Sequence, residues 1–426
     1  MSASLSKRYI GLYYASLDIK RAFVLIAAWI ASPFISRQKA ETELANAVWG
    51  ELGKGEVFAY ASARGSLAAV LRAAGVGKGD EVVLSGFTCL AVPTAVVALD
   101  AKPVYVDINP SSLNTDAAAV VASFGARVRA VVLQHTMGSL VDVSSVVEAA
   151  RKRGIVVIED CALATGSRRQ GVPVGIDGDA AIFSMELSKT ISTGWGGILV
   201  VQNPTLAKLV RQQDGNLSDR GIVSITRDVW QIALSAVFLD RRLFRWGRYA
   251  YAIAFKFRLF RGSTPTLELE GKAAKDFTAR MGLPQVILAA HQWCRLTNVR
   301  EVSGGHVRAL QAALQTAGLM VAGIAPPGIE PVSPRVCFLV NDRKQTMAWF
   351  YARGIEVGQW FDGPLSPPPS ADVFAYTPDL LPQAVQIANK IVNLPSHCGM
   401  TTHDCNRLIE LIHEYATDHP VDRINK

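Results

Sequence analysis

From Gly55 to about residue 201, short apolar runs alternate with helix-length segments, and this alternation limits the available folds more than any other feature of the chain. Strand-like runs fall at 81–84, 103–107, 128–134, 155–159, 180–184 and 198–201, with helix-like stretches at 67–74, 91–99 and 143–153 between them. Strands this short and apolar are buried on both faces, which predicts an α/β fold with a mostly parallel sheet covered by helices on either side. Ligands of such sheets bind at the carboxyl ends of the strands. The residues just after each strand are therefore the first candidates for a site.

The run IVVIED, 155–160, closes an apolar stretch with two acids. An aspartate at the end of a buried strand is costly to desolvate unless a cation pairs with it. A pyridinium nitrogen is one such cation, because a carboxylate beside it keeps the ring protonated and able to accept electrons. The other reading of Asp160 is a loop cap. Lys189 follows the strand-like AAIFS inside MELSKTISTGWGG. A lysine near dipoles and a cationic group has its pKa lowered, which suits it to forming a Schiff base. ARGSL, 63–67, opens a helix in which Gly65 permits close backbone approach and Ser66 offers a hydroxyl, and helix N-termini favour anions such as phosphate. Ser184, at the end of its own strand, is a second hydroxyl for that anion.

The chain of 426 residues is 50% hydrophobic and only 19% charged, which excludes intrinsic disorder. Its net charge of +8 suits an anionic partner. With no zinc-finger, homeodomain or RNP-type pattern present, nucleic acid is the least expected one. Six dispersed cysteines without a C-x-x-C read as reduced thiols of a cytosolic protein, and seven histidines without ligand spacing predict no metal. FVLIAAWIASPFI, 23–35, follows Lys20 and Arg21 and is broken by Pro33. A spanning helix needs about 20 apolar residues, so this one is expected to lie on an interface or pack on a partner, with a signal segment as the alternative reading. Residues 228–262 set Arg241, Arg242, Arg245, Arg248, Lys256, Arg258 and Arg261 among nine aromatic side chains, with Asp228 and Asp240 as the acids. This composition predicts contact between 230–260 and an anionic membrane surface, against a packed helical pair as the alternative. The expected organisation is an arm with an apolar helix (1–50), a large domain (51–226), a basic and aromatic insertion (227–262) and a smaller α/β domain (263–426). Within the last, helices are read at 283–310 and 402–415, strands at 336–340 and 354–357, and an exposed loop at GPLSPPPS, 363–370.

The order of GVGKGDEVVLSGFTCLAVPTAVVALDAKPVYVDINPSSLN, AVVLQHTMGSLVDV, VIEDCALATGS, GDAAIFSMELSKTISTGWGGILV and NLPSHCGMTTHDCNRLIELI resembles the DegT/DnrJ/EryC1/StrS aminotransferases. The resemblance runs from about residue 55 to 412, apart from the aromatic and basic segment. It implies a fold-type I transferase with a seven-stranded sheet and pyridoxal 5′-phosphate (PLP) as cofactor. It makes Lys189 the cofactor-bearing lysine and proton shuttle, Asp160 the partner of the pyridinium nitrogen, and Gly65, Ser66, Leu67 and Ser184 the phosphate site. His135 matches a histidine often found there, without an assigned role. Cys89 stands where the family usually stacks an aromatic on the cofactor, Leu163 where Gln or His is common, and Trp195 where a glutamate is usual. Thr278 replaces an asparagine that reaches the neighbouring subunit. The activity implied is transfer of an amino group, from glutamate by analogy, to the keto sugar of a nucleotide sugar; the composition of 23–35 and 230–260 adds the expectation of a lipid-linked ketone presented at the inner face of the cytoplasmic membrane. A homodimer is implied as well. Dehydrating or deoxygenating chemistry and a non-catalytic relative are the rival readings, and retention of Lys189 with Asp160 argues against both.

Overall fold

The computed structural model describes residues 9–12, 18–215, 217, 219–238, 244–257, 260, 262, 265–272, 277–370 and 372–422. Strands β1 (Glu56–Tyr60), β2 (Glu81–Ser85), β3 (Lys102–Val106), β4 (Val128–Gln134), β5 (Val156–Asp160), β6 (Ala180–Ser184) and β7 (Gly197–Val201) form one sheet. Their order is β1-β7-β6-β5-β4-β2-β3. β7 runs against both its neighbours, and the remaining pairings are parallel. The alternation of side chains along each strand serves two cores. Val82 and Leu84 join Ala130 and Val132 in one, and Val83 joins Val131 and Leu133 in the other. α1 (Ile19–Ala31) and α2 (Arg37–Leu52) precede the sheet, while α3 (Ala63–Ala73) and α4 (Ala91–Val97) cover its first face and α5 (Val143–Arg151) its second. The expected mostly parallel seven-stranded sheet is present, with β2 to β7 within a residue or two of the bounds read from sequence and β1 added at its edge.

After the sheet come α6 (Ile222–Phe238) and α7 (Phe244–Lys256), the described part of the aromatic and basic segment. Arg241, Arg242, Arg258 and Arg261 lie outside the described residues, as do the side chains of Phe244, Arg245, Trp246 and Arg248. α6 is a packed helix with a buried face. Val229 and Ile232 meet Leu25 of α1, and Ala233 and Ala236 meet Ala22. Asp228 is withdrawn from solvent altogether. It accepts from Arg220 Nη1 at 2.7 Å with both side chains fully buried, so its charge is cancelled where α6 begins. Gly247 lets α7 close on α6, since a Cβ there would sit 1.6 Å from the Phe238 carbonyl oxygen.

α8 (Leu283–Trp293) packs on α1 and α2 and leads into α9 (Leu296–Thr316). A smaller antiparallel sheet follows, β8 (Met320–Ala322), β9 (Arg335–Leu339) and β10 (Ile391–Pro395), in the order β8-β9-β10. α9 and α10 (Thr402–Asp418) cover it around Val336, Phe338, Leu408 and Tyr415. Thr401 and Asp404 begin α10 with a reciprocal capping box. Three expectations are corrected here. Residues 354–357 are not a strand, because Ile355 makes a lone bridge to Ile10. Strand β10 was not expected; asparagine and proline within it mask its pattern. Residues 363–370 are only partly exposed, because Leu365–Ser366 are buried and pair in parallel with Thr88–Cys89. Among the described residues no helix is long and apolar enough to cross a membrane.

Removing one member of a buried ion pair strands the other, at a cost of about 3–5 kcal/mol. Arg220→Leu is therefore expected to lower the denaturant midpoint sharply. Arg220→Leu with Asp228→Leu is expected to recover much of the loss, as chemical unfolding of the two variants will show.

Candidate active site

The carboxyl ends of β1, β5 and β6 and the first residue of β7 meet at one edge of the sheet, where a cavity of about 420 Å³ opens. Asp160, the last residue of β5, lines it and is nearly fully buried. Its Oδ1 accepts from the Ala162 N–H at 2.9 Å; among the described residues no donor reaches Oδ2. Burial raises the Asp160 pKa, opposed by the Ala162 N–H, Lys189 and His135. A cation against Oδ2 would favour the charged form of this carboxyl.

The neighbouring Glu159 points away from the cavity edge into a brace. It accepts from the N–H groups of Gly175, Asp177 and Gly178 at 3.0, 2.8 and 2.8 Å, and meets His135 Nε2 at 3.0 Å. Because the Val141 N–H donates to His135 Nδ1, Nε2 carries the proton that Glu159 accepts. Burial works to raise the Glu159 pKa, yet His135 and the backbone donors outweigh it and leave it below the usual range. His135, Glu159 and Cys161 gather donor atoms within 4.8 Å, but these hydrogen bonds already occupy the ring nitrogens and the carboxylate. His135 is thus a support that also donates its own backbone N–H to the Asp160 carbonyl at 3.0 Å.

Lys189 stands in the excursion between β6 and β7 and is only 8% exposed. The excursion is bound from inside. Ser192 Oγ donates to the Met185 carbonyl at 3.1 Å, Thr193 Oγ1 to the Trp195 carbonyl at 2.9 Å, and the Gly194 N–H to Ser192 Oγ at 2.8 Å. From α8, Gln285 and Gln292 reach the carbonyls of Trp195 and Ser192 at 3.0 and 2.7 Å. From α6, Ile232 presses on Gly194, whose φ of +80° and lack of Cβ admit the contact. Burial pushes the Lys189 pKa down and Arg335 pushes it further, while Glu186, Cys89 and Asp160 resist. Its Nζ lies 4.6 Å from the ring centre of Trp360, which Arg335 meets at 4.5 Å.

The residues read from sequence fall in two groups. Asp160, Ser184, Lys189, Cys89 and Leu67 line the cavity together. Gly65 and Ser66 lie behind its wall: the Gly65 N–H donates to Ser62 Oγ, the N-cap of α3, and Ser66 Oγ donates to the Ser62 carbonyl at 3.4 Å. At that helix start the cavity is met by Ala63 and Arg64, and the Arg64 guanidinium pairs with the buried Glu268. Leu163 is buried in a core with Phe87 and Met137 and does not line the cavity, whereas Trp195 does. Sequence reading missed Arg64, Glu186, Arg335 and Trp360. Arg64 lies within ARGSL, beside the glycine and serine that drew attention; Arg335 and Trp360 arrive from the smaller sheet and its loops, with no local signal. Tyr251 and Phe255 of α7 also form part of the wall, so the aromatic segment reaches the site itself.

The site fits PLP. A desolvated carboxyl with one open oxygen, a buried amine whose charge the pocket disfavours, and a helix N-terminus with Arg64 and Ser184 nearby match the ring nitrogen, aldehyde and phosphate of that cofactor.

A family model described as the DegT/DnrJ/EryC1/StrS aminotransferase family matches residues 20–239. Among curated proteins, an L-glutamine:scyllo-inosose aminotransferase of Streptomyces griseus is 36% identical over 178 residues, 42% of either chain. An L-glutamine:2-deoxy-scyllo-inosose aminotransferase of Streptomyces kanamyceticus is 36% identical over 194 residues, 45% of either chain. The alignments thus span less than half the length of these relatives. Among solved structures, DesV of S. venezuelae superposes with a TM-score of 0.71 at 21% identity, covering 97% of this chain and 100% of that one. A DegT DnrJ EryC1 StrS aminotransferase of Brucella abortus gives 0.70 at 20%, covering 93% and 95%. Spr1654 of Streptococcus pneumoniae, known in PLP and PMP forms, gives 0.69 and 0.71 at 17% and 16%, covering 95% of this chain and 98% and 99% of those. At these identities the superpositions establish the fold.

The depressed Lys189 pKa has a thermodynamic sign. Between the folded value and the ordinary 10.5, the unfolded chain binds the proton that the folded one rejects, so wild-type stability rises with pH in that window. In the cofactor-free protein, Lys189→Met is expected to raise the unfolding temperature at neutral pH, with the gain shrinking as pH approaches 10.5. Calorimetry across pH will measure it.

Proposed function

Because the chain belongs to the DegT/DnrJ/EryC1/StrS aminotransferase family, we propose that it is a PLP-dependent aminotransferase carrying an amino group from an L-amino acid to a cyclic polyhydroxy ketone. The observation that carries this reading is the Lys189 amine, buried in the same cavity as the Asp160 carboxyl at the end of β5. PLP is the cofactor of the family. The names of the matched relatives favour L-glutamine as donor, in place of the glutamate expected by analogy, and a keto sugar or keto cyclitol as acceptor. A homodimer belongs to the same reading, as does an acceptor joined to a nucleotide or a lipid.

When bound, PLP supplies an electron-accepting ring that weakens the C–H bond at the carbon bearing the substrate's nitrogen. Asp160 would hold a proton on the ring nitrogen, in an environment where burial makes an unpaired carboxylate costly. Lys189 Nζ, shifted toward the neutral amine by burial, would take the proton from that carbon and return it to the carbon on the far side of the nitrogen; this is general acid–base transfer by a positioned group. Ser184 and the α3 start with Arg64 would hold the phosphate end. Trp195 and Trp360 enclose the amine and keep bulk water from it.

The purified protein is expected to absorb in the visible with PLP, and to lose that band on addition of L-glutamine. Lys189→Ala should bind PLP without the band and lose the turnover. Asp160→Asn should keep the fold and lower kcat by about 10²–10⁴-fold. A protein that stays colourless after reconstitution with PLP overturns the reading.

A further inference from the structure

Two helices outside the sheet press on the lysine excursion from one side and present apolar side chains to solvent on the other. The inner faces of α1 and α6 supply Leu25, Val229 and Ile232, which pack on Leu187 and Trp195 of that excursion. The outer face of α1 carries Ile19, Phe23 and Ile30, and Phe34 follows in the next turn; Phe23 is 67% and Phe34 89% exposed. Their spacing of four, seven and four residues keeps them on one stripe. α6 repeats the arrangement with Val223, Trp230, Leu234 and Val237. α7, held against α6 through Gly247, exposes Tyr249, Ile253 and Phe257 at four-residue spacing while Tyr251 and Phe255 turn to the cavity.

We propose that the exposed stripes of α1, α6 and α7 form a docking surface for an anionic lipid bilayer, seating the mouth of the cavity at the headgroup layer. Charge selects this occupant. By sequence, residues 228–262 hold seven cations and two acids, and Asp228 is buried against Arg220, which leaves Asp240 alone against seven positive charges. A second copy docked here by two-fold symmetry would place this basic segment against itself. Anionic headgroups neutralise it, and apolar and aromatic side chains enter the boundary between headgroups and acyl chains. Lys20 and Lys256, both exposed, flank the stripes of α1 and α7 with further cations. Docking is independent of the aminotransferase reading and is measured without turnover.

The full chain, loaded with PLP, is sedimented with vesicles of phosphatidylcholine with or without phosphatidylglycerol. The expected result is pelleting with phosphatidylglycerol at low salt, little with phosphatidylcholine alone, and release at high salt. Phe23→Glu with Phe257→Glu is expected to weaken vesicle binding about tenfold or more, with circular dichroism and cofactor absorbance unchanged. Protein that stays in the supernatant with phosphatidylglycerol overturns the proposal. So does a double variant that still pellets, or one that splits a dimer in velocity sedimentation while the wild type ignores vesicles. Cofactor absorbance, read on the same samples, separates failure of docking from failure of the aminotransferase reading.

Discussion

Taking an amine and a carboxyl out of water at one edge of a sheet is the constraint on which the rest of the molecule depends. Desolvation drives Lys189 and Asp160 in opposite directions on the pH scale, each toward its uncharged form. Neither group can be left mobile under those conditions, because a flexible lysine would carry its charge back to solvent. The excursion that bears Lys189 is therefore tied to itself through Ser192 and Thr193, to α8 through two glutamines, and to α6 by direct contact at Gly194. Asp160 is steadied one residue back, where Glu159 gathers three backbone donors and a histidine. The strand end is braced by a carboxylate that takes no part in the cavity.

The same logic governs charges farther out. Glu268 is buried against Arg64 where α3 begins, and Asp228 against Arg220 where α6 begins. The first ties the segment beyond α7 to α3, and the second closes the entry to α6 on itself. Breaking such a pair leaves a stranded charge, so these contacts specify position more than they add stability.

The large sheet was legible because its strands are short, apolar and evenly interrupted, and because each ends on a residue with chemistry: Asp160, Ser184 and, beyond it, Lys189. Hydrophobic period and motif order agreed there. Residues contributed across long sequence separation were not legible. Trp360 approaches Lys189 from a loop beyond the smaller sheet, and Arg335 opens a strand whose alternation says nothing about its first side chain. Cys89 brings no ring to the cavity, whereas Trp360 brings one from a distant loop. Ser66 shows the converse limit. Its hydroxyl sits in a promising pentapeptide, but the helical turn aims it at the Ser62 carbonyl. Residues 354–357 have strand-like composition, and only the lone Ile10 partner reveals that no ladder forms.

The reversed direction of β7 carries a consequence of its own. In a parallel pair the chain must cross to the far end of the sheet before it returns, whereas β6 and β7 are antiparallel and share a rim. The segment with Lys189 leaves and re-enters the sheet at the same edge, like a handle fixed at both ends to one side of a vessel. Its length and lining can change without moving a strand. The pocket can thus be recut around an unmoved amine, and Trp195, which lines the cavity, stands at the foot of the handle.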